Sequence, residues 1–292
     1  MSQFSGLEHI IREDEPLARH TWLRMGGVAQ YFAEPTTLDE LAALATRCRA
    51  DEIPIRLLGG GSNLLVRESG VKGVVIHLGA PVFCQISVTG NVVQAGGGAS
   101  LAHVISSAVR EGLAGLEPLV GIPGTVGGAL HGNAGRQHAD IGQWTHSATT
   151  MTRTGEIIHR QREDLQFSHG QSSLNELVIL AAEFQLEKEA SDELTKRMQK
   201  LWIVAKSNQP TVDQFAGRIF KNPQGVRAAD LIDQAGLRGT KVGMAEVSER
   251  NVNYVVAHPG ATSEQVLELT ELMRQRVADL LGIELERDLE VW

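Results

Sequence analysis

Two stretches of the chain pair glycine with small polar side chains at a spacing suited to an anionic ligand. In Leu57-Leu58-Gly59-Gly60-Gly61-Ser62-Asn63-Leu64-Leu65-Val66, the run Ile55-Arg56-Leu57-Leu58 reads as a buried strand that delivers three glycines and two polar residues. Glycine allows positive φ and a close approach of backbone to ligand. Consecutive N–H groups in such a turn form a concave anion site, and Ser62 and Asn63 add side-chain donors. At Gly60 a Cβ is expected to crowd a bound diphosphate and to forbid positive φ. The three adjacent glycines do not open an amphipathic helix, so this is not the G-x-G-x-x-G dinucleotide fingerprint. No Gly-Lys-Ser/Thr follows, so it is not a Walker A loop. Alone, the run is equally a tight turn between strands. The second stretch, Gly121-Ile122-Pro123-Gly124-Thr125-Val126-Gly127-Gly128-Ala129, changes the balance, with Asn133-Ala134-Gly135 just beyond it. Two such loops suit one long diphosphate cofactor. Its expected contacts are Gly59, Gly60, Gly61, Ser62, Asn63 and Leu64 in the first loop, and Gly121, Ile122, Pro123, Gly124, Gly127 and Gly128 in the second.

The elements that must position these loops follow from periodicity and caps. Tyr31 to Glu34 reads as a short strand stopped by Pro35. Thr37 and Glu40 form a capping box before a helix whose apolar face is Leu38, Leu41, Ala45 and Cys48. Val74–Leu78 is a strand. Cys84–Ala95 is a hairpin turning at Thr89-Gly90-Asn91. Ser100 opens a helix with Leu101, Val104, Ile105 and Ala108 inward and Gly112 as its stop. A second hairpin turns at Thr154-Gly155-Glu156, and Glu176–Leu186 is an apolar strand. From Ser191 to about Lys206 the pattern is a charged amphipathic helix with Leu194, Met198, Leu201 and Ala205 on one face. Beyond it come a helix through Ala228–Ile232 stopping at Gly236, and a long final helix opened by the Thr262/Gln265 capping box and stopped by Gly282. Helices and short strands alternate without a sustained βαβ rhythm, so the expected class is α+β.

At 292 residues with 42% hydrophobic side chains, the chain is globular and long enough for two or three compact units. The expected divisions are 1–78, 79–190 and 191–292. A net charge of −8 excludes nucleic acid or an anionic membrane as the main partner, so local cations must meet an anionic ligand. No apolar run reaches the roughly 18–20 residues of a membrane span. No export signal is seen, and Cys48 and Cys84 form no disulfide framework, so the expected place is the cytoplasm. His131, His138, His146 and His169 have no metal-ligand spacing and read as solvated or structural; no metal is expected.

The motifs, in order, resemble UDP-N-acetylenolpyruvoylglucosamine reductase, a flavoenzyme family that makes UDP-N-acetylmuramate for peptidoglycan. The resemblance is carried by Thr21-Trp-Leu-Arg-Met-Gly-Gly27, Gly59-Gly-Gly-Ser-Asn-Leu-Leu65, Gly115 to Ala129, Asn133-Ala-Gly135, Phe220-Lys-Asn-Pro223, Ala235-Gly-Leu-Arg-Gly239, Val247-Ser248 and Asn253-Tyr254. It implies an FAD-binding unit of two α+β subdomains of the vanillyl-alcohol-oxidase type plus a substrate-binding domain. The short spacing from Asn133 to Phe167 looks like the form lacking an extra tyrosine-bearing loop. The resemblance also implies non-covalent FAD, NADPH as reductant, a UDP-sugar substrate touched by Lys221 and Asn222, and a monomer.

Where the family has three catalytic side chains, this sequence departs from its pattern. The arginine of Phe-Gly-Tyr-Arg-x-Ser aligns with Gly170 in Phe167-Ser168-His169-Gly170-Gln171-Ser172. The serine or cysteine before Phe-Lys-Asn-Pro aligns with Arg218. The second glutamate of Leu-Glu-x-Glu-Val aligns with Asp288. Arginine stays protonated and is no proton donor near neutral pH, and glycine brings no charge. Three readings are open: the reductase itself with rearranged acid catalysis, a catalytically impaired homologue binding flavin or nucleotide sugar, and an FAD oxidoreductase with another substrate.

Overall fold

The computed structural model describes residues 3–136, 139–211, 213–223 and 225–292; His138 lies outside them. The chain forms two compact units. Unit 1 holds Met1–Asp14, Gln30–Gly60 and Lys72–Val204; unit 2 holds Glu15–Ala29, Gly61–Val71 and Ala205–Trp292. Unit 2 therefore takes in two stretches from the N-terminal third.

The first sheet has the strand order β1 (Ile11–Pro16), β2 (Val28–Ala33), β4 (Val71–His77), β3 (Ile55–Leu58), with β3 and β4 parallel and Leu57 opposite Ile76. Helix α1 (Leu38–Ala50) packs on it through Leu41, Leu44, Ala45 and Cys48, against Val74 and Ile76. Its N-terminus carries the expected capping box: Glu40 N–H donates to Thr37 Oγ1 at 3.1 Å and the Thr37 N–H to Glu40 Oε2 at 3.1 Å. Burial pushes the Cys48 thiol up to about 11, which keeps it a neutral core side chain.

The second sheet is antiparallel throughout, in the order β8 (Ile157–Gln161), β7 (Thr145–Met151), β11 (Val178–Gln185), β6 (Val92–Gly96), β5 (Ile86–Thr89). Helix α2 (Leu101–Arg110) and the short α3 (Val126–His131) cover it. Val93, Ala95, Leu101, Val104, Ile105, Val126, Ala129, Leu130 and Phe184 meet in one core. Ser100 is the N-cap of α2, but its side chain makes no capping bond. The hairpin β9 (Phe167–Ser168) and β10 (Gln171–Ser172) precedes β11. Helix α4 (Ser191–Ser207) follows it; Leu194 is buried with Val109 and Ala114, and Arg197 bridges Glu117 and Glu189.

In unit 2, β12 (Phe215–Arg218), β14 (Tyr254–Ala257), β13 (Ala245–Val247) and the pair Lys241–Val242 form an antiparallel sheet in that spatial order. Helices α5 (Ala228–Gln234) and α6 (Ser263–Leu281) share its core. Val266, Leu269, Met273 and Val277 of α6 are fully buried, each worth roughly 1.5–3 kcal/mol. The expected Thr262/Gln265 capping box is present, Glu68 accepts the Ser263 N–H at 2.7 Å, and Gly282 ends the helix at φ 67°. Leu64–Leu65 pairs in parallel with Glu290–Val291. No described helix is long and apolar enough to cross a membrane.

Candidate flavin and substrate sites

Strand β3 ends at Leu58 and hands the chain to Gly59 and Gly60. The second loop is stitched to the bend after β6: Leu101 N–H donates to Gly124 O at 3.1 Å, Val126 N–H to Ala99 O at 2.9 Å and Gly127 N–H to Gly97 O at 2.8 Å. The two loops meet inside unit 1. A Cβ built on Gly59 would stand 2.8 Å from Thr125 Oγ1, and one on Gly60 2.8 Å from Gly124 Cα. This corrects the expectation for Gly60. Its φ is not positive; the positive-φ member of the run is Gly61, at 62°. The space a side chain at Gly60 would claim belongs to Gly124.

Gly121 and Gly124 have φ of 81° and 114°. Thr125 caps α3 by accepting the Gly128 N–H at 3.3 Å. Among the described residues no protein acceptor takes the N–H of Gly59 or Gly60. Apposed glycine backbones with amides to spare fit the diphosphate of FAD.

Sequence reasoning missed a third run, Gly96-Gly97-Gly98. Cβ atoms there would lie 2.1 Å from Phe83 O, 1.9 Å from Ile179 O and 2.0 Å from Leu78 O. This close approach lets the bend carry the second loop. Three consecutive glycines were a visible signal.

In unit 2 the remainder of the first run has different partners. A Cβ at Gly61 would fall 1.9 Å from His20 O, and Trp22 N–H donates to Gly61 O at 3.0 Å. Ser62 lies next to Asn63, whose Nδ2 donates to Asp288 O at 2.9 Å and whose O accepts the Glu290 N–H at 3.0 Å. Leu64 pairs with Glu290. The Asn63 side chain thus fixes the C-terminal segment, a role the sequence did not show.

Gly170 stands with His169 in the two-residue turn of the β9–β10 hairpin, at φ 69°. Only glycine and a few small polar residues adopt that conformation readily. Asn133 holds the hairpin: its Nδ2 donates to Ser168 O at 2.9 Å, and its Oδ1 accepts the Gly142 N–H at 3.0 Å. Ser172 Oγ donates to His131 O at 3.1 Å.

Arg218 and Asp288 are brought together in unit 2. Arg218 Nε donates to Asp288 Oδ2 at 3.0 Å, and Nη2 donates to the same oxygen. The Asp288 N–H donates to Ile219 O at 2.8 Å. Lys221 Nζ donates to Glu286 Oε1 at 2.5 Å, and its N–H to Glu286 O at 2.9 Å. Asn222 Oδ1 accepts the Ala228 N–H at 3.0 Å, at the start of α5. Asn253 is buried and clamps Phe220, accepting its N–H at 2.9 Å and donating to its carbonyl at 2.8 Å. The two acidic partners, Glu286 and Asp288, flank Arg287, which bridges Phe220. No cluster of His, Cys, Asp and Glu with metal-binding geometry occurs among the described residues.

The arrangement can hold a diphosphate on glycine backbone in unit 1 and offers oriented cations in unit 2. Two family domains match separate parts of the chain. An "FAD binding domain" family matches residues 29–160, and "UDP-N-acetylenolpyruvoylglucosamine reductase, C-terminal domain" matches residues 209–292. The UDP-N-acetylenolpyruvoylglucosamine reductase of Rhodopirellula baltica is 38% identical over 286 residues, covering 98% of this chain and 94% of that protein. The reductase of the same name from Anoxybacillus flavithermus is 37% identical over 284 residues, covering 96% and 94%. The crystal structure of UDP-N-acetylenolpyruvylglucosamine reductase from Thermus caldophilus superposes with a TM-score of 0.82 at 34% identity, covering 97% of this chain and 99% of that one.

Proposed function

Because the chain belongs to the UDP-N-acetylenolpyruvoylglucosamine reductase family, we propose that it reduces UDP-N-acetylglucosamine enolpyruvate to UDP-N-acetylmuramate for peptidoglycan. The observation that carries this reading is family likeness along nearly the whole chain, joined to two apposed glycine loops inside the FAD-binding domain. FAD, held without a covalent bond, supplies hydride transfer when bound; NADPH is its reductant. Gly59, Gly60, Gly121, Ile122, Pro123, Gly124, Gly127 and Gly128 present backbone to the diphosphate, with Gly61, Ser62, Asn63 and Leu64 completing the set. Residues 1–78 and 79–190, each with its own sheet, are the two flavin subdomains, and 191–292 is the substrate domain. Lys221 and Asn222 contact the UDP-sugar, Lys221 by exchanging Glu286 for the ligand. The protein works as a monomer in the cytoplasm.

The chemistry asks the protein to orient the enolpyruvyl group, to stabilise negative charge as the double bond is reduced, and to allow a proton to arrive. Gly170 contributes no side chain, and Arg218 holds its own protons too tightly to give one up. Water is therefore the proton source in this reading.

The test is anaerobic. NADPH should bleach the flavin, and UDP-N-acetylglucosamine enolpyruvate should then restore its colour. Bleaching without recolouring would favour the second reading, an impaired homologue, for which the side chains at positions 170, 218 and 288 are the specific observation.

A further inference from the structure

We infer that Arg218 is the residue that recognises the carboxylate of the enolpyruvyl group, and that Asp288 is its positioning residue. The inference rests on the substrate reading above. A guanidinium carries five N–H donors in a rigid fork. Here Nε and Nη2 both donate to Asp288 Oδ2, and the other N–H groups meet no protein acceptor among the described residues. The Arg218 side chain is 43% exposed, while Asp288 is only 14% exposed. The pair is thus asymmetric: the carboxylate is covered and the outer edge of the cation is open.

Asp288 is fixed from three directions. Its N–H is tied to Ile219 O, its carbonyl to the Asn63 amide, and its carboxylate to Arg218. It therefore anchors the inner edge of the fork and leaves the Nη1 side pre-oriented. Arg218 also ends β12, where its backbone is registered opposite Tyr254. A planar guanidinium edge of this kind matches a planar carboxylate with two parallel hydrogen bonds.

The substrate in the relatives' name carries two kinds of anion, a diphosphate and the enolpyruvyl carboxylate. Asp288 cancels the net charge of Arg218, so recognition depends on local hydrogen-bond geometry more than on long-range attraction. The singly charged carboxylate also meets less repulsion from Asp288 than the doubly charged diphosphate does. Lys221, three residues along, has a compact ammonium without a planar fork.

The experiment compares two ligands on the flavin-loaded protein: UDP-N-acetylglucosamine, which has the diphosphate alone, and its enolpyruvyl ether, which has both anions. Affinities are read from the perturbation of the flavin absorbance and by calorimetry. Arg218→Ala should weaken the enolpyruvyl ether by about tenfold or more, the range for losing a charged hydrogen-bond partner, and should leave UDP-N-acetylglucosamine nearly unchanged. Arg218→Lys, which keeps the charge and guards against misfolding of the alanine variant, should fall between. Asp288→Asn should weaken the enolpyruvyl ether selectively without lowering the melting temperature as much as it lowers that affinity. Equal losses for both ligands would assign Arg218 to the diphosphate and overturn the inference. No loss for either would reduce Arg218–Asp288 to a structural ion pair and overturn it too. A wild-type protein that binds neither ligand would instead refute the substrate reading itself, a failure visible before any variant is made.

Discussion

Gly60 and Gly124 touch backbone to backbone: a Cβ on Gly60 would lie 2.8 Å from the Gly124 Cα. The glycine at position 60 is therefore required by the packing of one loop on the other. Gly60→Ala should destabilise unit 1 by about 1–3 kcal/mol, the usual cost of overpacking, and should lower flavin affinity as a consequence. Denaturant unfolding with and without added FAD measures both. A variant with wild-type stability and lost flavin binding would mean that Gly60 faces the ligand after all.

Asn133 makes the analogous contribution to the hairpin that carries Gly170. It is buried, has φ 41°, and both of its amide atoms are bonded to backbone. Asn133→Ala leaves the Gly142 N–H and the Ser168 carbonyl without these partners. The expected loss is about 2–6 kcal/mol, from two unsatisfied groups at roughly 1–3 kcal/mol each. Asn133→Asp keeps the acceptor for Gly142 and should lose less. Equal melting temperatures for wild type and Asn133→Ala would remove Asn133 as the support of the hairpin.

Glu40 gives a pH signature. The hydrogen bond from His9 at 2.8 Å, then the N–H and hydroxyl of Thr36, hold its carboxyl down to about 2 from 4.5, against an opposing effect of burial. A carboxylate with a depressed folded-state pKa stabilises the fold above its unfolded value, and the benefit fades as pH falls through the folded one. The melting-temperature advantage of wild type over Glu40→Gln should therefore be full above about pH 4.5 and vanish towards about pH 2. An advantage unchanged across that window would sink the assignment.

The elements and caps were legible because they are local. Thr37, Thr262 and Gly282 act on neighbours a few residues away, and each does what its spacing implied. The glycine loops were legible as loops, but what each glycine approaches was not. Gly59 meets Thr125, and Gly61 meets His20; both contacts join stretches distant in sequence. The same is true of Asn63, which reads as a ligand donor and binds Asp288. Nothing within a few residues of Arg218 announces Asp288, seventy positions on. Each supplies the other's opposite charge, so the arginine and the aspartate are matched as a pair.

That union also governs the last prediction. With water as the proposed proton source, flavin reduction by NADPH should be faster than reoxidation by the enolpyruvyl substrate in the natural protein, because working without a general acid costs about 10²–10⁴-fold. Arg218→Ser places an ionisable hydroxyl at this position and removes the cation that receives the carboxylate. At saturating substrate the reoxidation rate should rise, while KM for the enolpyruvyl sugar should rise as well, so the two constants move in opposite senses for efficiency. Adding Gly170→Arg and Asp288→Glu should raise the rate further, less a cost of about 1–2 kcal/mol in stability for a side chain at the left-handed position 170. Stopped-flow traces of the two half-reactions separate these effects. If the natural protein already reoxidises at an ordinary enzymatic rate, roughly 1–10³ s⁻¹, a proton donor other than water is at work, and neither Arg218→Ser nor the triple variant should then accelerate it.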